Sequence, residues 1–302
     1  MHKKLIFSLI LFFPFFLSAQ MDIKWSELGF SKSTIHDLLY SNDHIYMVKV
    51  NMNGFALSKK NNTSFYKYDS DLKEIKNSFQ NLTYGSKKAV FSKLIEINNK
   101  PYLLSQTKGS SGMKKIVIQE VDKNTLKFVG EKIGLINLRK NGLLNNADFH
   151  FEQSPDKNLT LIISEIDVKS KAPRKFQFNI LDKNLKTILK KEIEIKKTNK
   201  HFKYIKSKID NEGNIFMMGF QNQLKKDIDK SQAYFWRYIL NSEKSTLTKL
   251  ALSSKKFIRD VNFSIKNDSI ILAGYYTENK SYLGNKVRGI VHTTISKYSE
   301  KN

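Results

Sequence analysis

A polar turn followed by a run of β-branched or aromatic residues recurs five times along this chain, at a nearly constant spacing. The copies are Asn42-Asp43-His44-Ile45-Tyr46-Met47-Val48, Asn98-Asn99-Lys100-Pro101-Tyr102-Leu103-Leu104, Asp156-Lys157-Asn158-Leu159-Thr160-Leu161-Ile162, Asn211-Glu212-Gly213-Asn214-Ile215-Phe216-Met217-Met218 and Asn267-Asp268-Ser269-Ile270-Ile271-Leu272-Ala273. Asn, Asp and Gly tolerate the positive φ of tight turns, and the runs after them suit buried strands. With Tyr46, Tyr102, Thr160, Phe216 and Ile271 taken as equivalent, the steps are 56, 58, 56 and 55 residues. A regular period of this length belongs to chains that repeat one supersecondary unit.

A second motif follows the first in every copy. Phe65-Tyr66-Lys67-Tyr68 runs into Asp69-Ser70-Asp71-Leu72, and Phe176-Gln177-Phe178-Asn179-Ile180 runs into Leu181-Asp182-Lys183-Asn184. A strand, an Asp or Asn turn and a further alternating segment make a hairpin. One more strand pattern precedes each first motif, for example residues 90–97, 148–151, 204–209 and 261–265. Each unit therefore holds four strands, a to d, which is the content of one β-propeller blade. The expected fold is all-β, a β-propeller of five four-stranded blades, with six blades as the alternative. The fifth copy stops after its strand c, while residues 22–28 form an orphan alternating strand before the first copy. Pairing these two ends would close the ring and remove an exposed strand edge. A solenoid is disfavoured because its repeats are shorter. A membrane barrel is disfavoured because segments such as residues 185–197 are too charged to face lipid. At the level of architecture the chain resembles exported β-propeller repeat proteins of Bacteroidota. The turn Ser154-Pro155-Asp156 resembles the Ser-Pro-Asp-Gly turn of bacterial propellers, and Gln20 after the leader resembles the new N-terminus of exported Bacteroidota proteins.

The leader itself is legible. Met1-His2-Lys3-Lys4 is a short positive head, residues 5–17 are almost wholly apolar, and Ser18-Ala19 offers a small-residue exit. This is the pattern of a Sec signal peptide cleaved near Ala19, leaving residues 20–302 as one propeller domain. Thirteen residues rise about 20 Å as a helix, short of the roughly 30 Å hydrocarbon core. The expected location is periplasmic or secreted. The chain has no cysteine, so its fold is held without disulfides, and thiolate metal sites and thiol catalysis are excluded.

The net charge is +24, from 52 Lys and Arg against 28 Asp and Glu. Such a balance favours anionic partners, and an anionic polysaccharide or an envelope protein is expected. Nucleic acid is not expected, because no recognised binding module is present and the lysines are spread over every segment. In a propeller, strand a lines the central channel, and the d–a connections, near residues 29–33, 80–88, 135–146, 196–202 and 253–259, share one rim with the b–c connections. The b–c loops around residues 49–62, 106–114, 165–173, 221–232 and 276–286 are rich in Lys, Asn, Ser and Gly.

Three residues are candidates for chemistry. Asp148 and Asp260 stand near equivalent starts of strand a, 112 residues apart, and His150 shares the face of Asp148 by the period of two. Paired carboxylates can serve as acid and base in glycoside hydrolysis. No third carboxylate supports the pair, and Asp often merely caps a strand. The six histidines show no metal-ligand spacing, and Asp227-Ile228-Asp229 lacks the Gly and Glu of a calcium loop. No cofactor and no metal is therefore expected. The sequence favours an exported non-enzymatic binding or scaffold protein of the cell envelope, using a basic loop rim, over an enzyme. The alternative is a glycan-active enzyme with acidic residues at the channel mouth.

Overall fold

The computed structural model describes residues 33–51, 62–108, 114–138, 149–166, 172–198, 202–221, 232–250, 257–277 and 287–298. They form five antiparallel sheets in chain order. The first contains β1 (Ser33–Ser41), β2 (His44–Asn51), β3 (Asn62–Tyr68) and β4 (Glu74–Asn81). The second contains β5 (Thr83–Tyr84), β6 (Lys87–Ile97), β7 (Lys100–Lys108), β8 (Lys114–Val121) and β9 (Phe128–Leu138). The third contains β10 (Phe149–Gln153), β11 (Leu159–Ile166), β12 (Pro173–Asp182) and β13 (Thr187–Thr198). The fourth contains β14 (Phe202–Ile209), β15 (Ile215–Gln221), β16 (Gln232–Ile239) and β17 (Lys244–Leu250). The fifth contains β18 (Phe257–Lys266), β19 (Ser269–Thr277) and β20 (Gly289–Ser296). The signal peptide expected at residues 1–19 and the orphan strand expected at residues 22–28 lie outside the described residues.

Two kinds of turn set this repetition. Asn42-Asp43 (φ 48° and 57°) and Asn98-Asn99 (φ 49° and 59°) close two-residue hairpins whose mirror-image geometry matches the strand twist. The wider turns are organised by one carboxylate. Asp69 Oδ1 accepts the backbone N–H of Asp71 and Lys73, Asp182 Oδ1 those of Asn184 and Lys186, and Asp210 Oδ1 those of Glu212 and Asn214. Each places a left-handed residue three positions on, at Leu72, Leu185 and Gly213. Such side-chain caps outcompete continued strand pairing and stop the strand.

Sheets pack face to face. β1 lies against β6, β6 against β10, β10 against β14 and β14 against β18, so, the two-residue β5 aside, the first strand of each sheet meets the first strand of the next. Four apolar cores fill the four interfaces. Val48, Phe65, Leu94 and Leu103 join the first sheet to the second, and Leu104, Ile116, Ile162 and Leu181 join the second to the third. Phe178, Ile193, Met217 and Trp236 join the third to the fourth, and Phe216, Phe235, Phe263 and Leu272 join the fourth to the fifth.

These cores correct one alignment. Leu161, not Thr160, matches Tyr102 and Phe216, because Leu161 and Ile163 face the following sheet while Ile162 faces the preceding one. The longer turn between β10 and β11, closed by Ser154 N–H on the Leu159 carbonyl, shifts the third copy by one residue. A second correction concerns residues 80–88, expected as a connector. Thr83 and Tyr84 instead pair with Lys88 and Lys87 as a small added hairpin.

A buried ion pair ties the last sheet to the fourth. The Lys297 ammonium stands 2.6 Å from Asp210 Oδ2 and 3.4 Å from Glu212 Oε2, with both Lys297 and Asp210 almost fully covered. Burial lowers the Lys297 pKa, but the Asp210 hydrogen bond and charge outweigh it and hold it above the usual lysine value. Arg237 donates to the Ser296 carbonyl at 3.0 Å, and Tyr298 O–H donates to Glu212 at 2.8 Å. Lys297→Met leaves the Asp210 carboxylate buried without its cation. We expect a loss of about 3–5 kcal/mol in urea unfolding, part of it recovered in the Lys297→Met/Asp210→Asn double variant.

Candidate functional site

Strand pairing places one residue of each first strand at the same height. Asp37 lies opposite Val48, Lys93 opposite Leu104, His150 opposite Ile163, Lys206 opposite Met218 and Asn262 opposite Ala273. All five are polar, and four are ionisable. One level closer to the turn stand Leu39, Ile95, Glu152, Lys208 and Ser264. A bulge just before this tier, between Ile35 and Asp37, Phe91 and Lys93, and Tyr204 and Lys206, adds a residue to three of the first strands. Bulges re-aim side chains and recur where a strand carries a site.

In the first two sheets the tier is closed on itself. Asp37 Oδ1 accepts from Lys93 Nζ at 2.9 Å, and Asp37 Oδ2 accepts the Leu94 N–H at 2.7 Å.

Between the third and fourth sheets a different group assembles. His150 is near the start of β10, Glu165 near the end of β11 and Arg174 near the start of β12, so three strands deliver them to one end of the sheet. Glu165 is opposite Phe176 and Ile163 is opposite His150, which puts His150, Glu165 and Arg174 on one face. The Glu165 carboxylate bridges its two neighbours. Oε1 takes the His150 Nε2 at 2.8 Å, and Oε2 pairs with the Arg174 guanidinium. A carboxylate can only accept, so Nε2 carries a proton and Nδ1 is the basic nitrogen of the neutral ring. The His150 ring lies on Tyr204 of β14, with centroids 3.8 Å apart and planes 25° from parallel. Tyr204 Oη and Ser207 Oγ share a hydrogen bond of 2.8 Å. Burial pushes the Tyr204 phenol well above its usual pKa, so it remains an O–H donor at neutral pH. His150 and Arg174 keep 26% and 20% of their side-chain surface open, which leaves the group reachable from solvent.

Glu152 is two residues further along the same strand face. Burial raises its carboxyl pKa above the usual range, while Lys208, Lys206, Lys93 and His150 pull it down by their charge. Among the described residues Glu152 makes no hydrogen bond or close ion pair. Among those residues, no three of His, Asp and Glu stand together as a metal site would require.

Of the three candidates read from sequence, His150 belongs to this group. Asp260 is exposed on β18 at a bulge, and its Oδ1 accepts the N–H of its own neighbour Val261 at 2.9 Å. Asp148 lies outside the described residues. Glu165, Arg174, Tyr204 and Glu152 were missed by sequence reading. One signal pointed to Glu152, a charged residue where a first strand should alternate inward. Nothing local marked Glu165 or Arg174, which flank a connector and meet only through strand pairing.

No protein-family model matches the chain, and no curated protein does. Among solved structures it is similar to the polysaccharide lyase Uly1, at 11% identity and a TM-score of 0.49 over 92% of this chain and 74% of that one. It is similar to a PL25 polysaccharide lyase, an ulvanlyase, at 11% identity and a TM-score of 0.42 over 80% of this chain and 66% of that one. The GH43_1 enzyme from Xanthomonas citri aligns at 10% identity and a TM-score of 0.42, over 81% of each chain. At this distance no residue and no reaction is carried across. All three of those proteins are enzymes, which runs against the expectation of a non-enzymatic binding or scaffold protein. The physical reason that sequence reading leaned the other way is now visible. The chemistry-bearing residues come from four strands, and none of them forms a local motif.

The Glu152 shift has a consequence for stability. A carboxyl raised on folding makes the native state hold its proton longer than the unfolded chain does. Its contribution is complete below the ordinary value of 4.5 and is lost as pH rises through the folded pKa. Glu152→Gln is therefore expected to melt at a higher temperature than the parent near neutral pH. The two melting curves converge in acid below the ordinary carboxylate value, as measured by circular dichroism across pH.

Proposed function

We propose that this protein is an exported glycan-active enzyme whose acid–base centre is His150, and that it cleaves an anionic polysaccharide by elimination. One observation carries the proposal. The imidazole of His150 is fixed by Glu165, whose charge is balanced by Arg174, and is stacked on the buried phenol of Tyr204.

This group matches proton abstraction next to a carboxylate better than it matches hydrolysis. Glycoside hydrolysis uses two carboxyl groups flanking the bond. Here Glu165 is already committed to His150 and Arg174. Elimination from a uronic acid needs a base for the proton α to the carboxylate, a cation to hold that carboxylate and an acid for the departing oxygen. His150 Nδ1 takes the proton from C5, the C4–O4 bond breaks, and a C4=C5 double bond forms. Tyr204 O–H supplies the proton to the leaving oxygen, and both side chains return to their starting states by exchange with water. Arg174 and the surrounding lysines offer the cationic surroundings. The charge of +24 favours encounter with such a polymer. His150→Ala is expected to lower turnover by roughly 10²- to 10⁴-fold, the usual weight of a general base. The assay follows the absorbance of the unsaturated product on uronic-acid polysaccharides. Undiminished turnover in that variant, or new reducing ends without unsaturation, would sink the reading.

The same reading takes the fold as a five-bladed propeller, closed by residues 22–28 as the fourth strand of the last blade. The fifth sheet has three strands where the others have at least four, and the outer edge of β20 pairs with no described strand. Because the chain has no cysteine, a pair introduced on residues 22–28 and on β20 gives a clean test. Adjacent strands bring Cβ atoms to about 4–5 Å, so a suitable pair oxidises readily to a disulfide. If no pair along β20 cross-links in the native protein, the closure is wrong.

A further inference from the structure

We infer that Lys206 and Lys208 form a subsite for an anionic sugar substituent beside His150, so that the enzyme selects polyanionic over uncharged glycans. The inference rests on the His150 cluster being a glycan site, and it adds the groups that choose the substrate.

Three observations carry it. Lys206 is at the height of His150 on the next first strand, and Lys208 is at the height of Glu152. Both lysines are half-buried, and among the described residues neither makes an ion pair or a side-chain hydrogen bond. Two ammonium groups held on one rigid strand, neither of them bonded within the described residues, offer their charge to an anion from outside. The corresponding charges in the first two sheets are compensated internally, since Lys93 is paired to Asp37 at 2.9 Å. The third and fourth sheets break that pattern. His150 replaces the expected acid, and Lys206 is left without the carboxylate that its counterpart Lys93 possesses.

The one carboxyl that shares their field is Glu152, which is half-buried itself and makes no close pair with them. It therefore tempers the cations without filling their place. A carboxylate or a sulfate ester fits the vacancy in charge, because either presents several acceptor oxygens to two ammonium groups. A sugar held there would lie beside the His150 and Tyr204 rings, because β10 contacts β14 and Tyr204 precedes both lysines on β14. One unit of a polymer then sits at the acid–base centre while a neighbouring unit is gripped by its charge.

The test uses the full mature chain carrying His150→Ala, which prevents turnover. Calorimetry compares a uronic-acid oligosaccharide, a sulfated oligosaccharide and an uncharged one of equal length. Binding of either anionic probe, weakened by salt, is the expected result, and the probe bound more tightly names the anion. Adding Lys206→Gln and Lys208→Gln should weaken that binding roughly tenfold for each lysine, the weight of one charge-assisted hydrogen bond. Lys206→Arg with Lys208→Arg should restore much of it, which excludes a simple loss of folding. Equal binding of the uncharged probe, or unchanged affinity in the Gln variants, overturns the subsite. The two proposals fail separately. If His150→Ala alone leaves turnover intact while the Gln variants lose binding, the acid–base assignment falls and the subsite stands. If His150→Ala abolishes turnover while Lys206→Gln/Lys208→Gln keeps the parent kcat/KM and salt dependence, the subsite falls and the assignment stands.

Discussion

A four-stranded sheet with two apolar faces has to cover both. At the four interfaces among the described residues the covering is another copy of the same kind of sheet. Val48 and Phe65 meet Leu94 and Leu103 at one interface, and Phe178 and Ile193 meet Met217 and Trp236 two interfaces later. Each sheet is stable because its neighbours are there, which makes the repeat a collective structure rather than a string of independent units. Period-two alternation does the sorting. Leu161 and Ile163 turn to one side while Ile162 turns to the other, and a slip of one residue would exchange the two cores.

The same stacking creates the site. First strands lie beside first strands, so a polar residue repeated once per copy becomes a tier along the line where those strands meet. In the first two sheets the tier is closed by Asp37 and Lys93. In the third and fourth it opens into His150, Glu165, Arg174 and Tyr204, with Lys206 and Lys208 beside them. The fold specifies this height, and the side chains placed there decide whether their charges are paired within the protein. Rigid strands are well suited to hold such a group, since their side-chain directions are set by pairing on both sides.

Much of the architecture was legible in the residues. The Asn and Asp turns, the alternating runs and the incomplete last copy all correspond to observed strands and hairpins, including a fifth sheet of three strands. Where the reading slipped, it slipped for local reasons. The turn between β10 and β11 is longer than its counterparts, so Thr160 was taken for Leu161. The segment around Thr83 and Tyr84 is short and polar, and nothing in it announces a hairpin. His150 was picked out as a ring on the inward face of a first strand, but its partners were not. Glu165 and His150 are separated by 15 positions and a turn, and Tyr204 comes from another sheet altogether.

Sequence alone determined the repeat, the class of each strand, the turn chemistry and the strongly cationic balance, because these depend on local propensity, alternation and counting. Only the tertiary structure decided which charges cancel and which remain. Asp37 neutralises Lys93 across a sheet interface, Asp210 neutralises Lys297 across another, and Lys206 and Lys208 find no such partner among the described residues. Electrostatic compensation depends on distances between residues some 56 or 87 positions apart. Those distances exist only once the sheets have stacked.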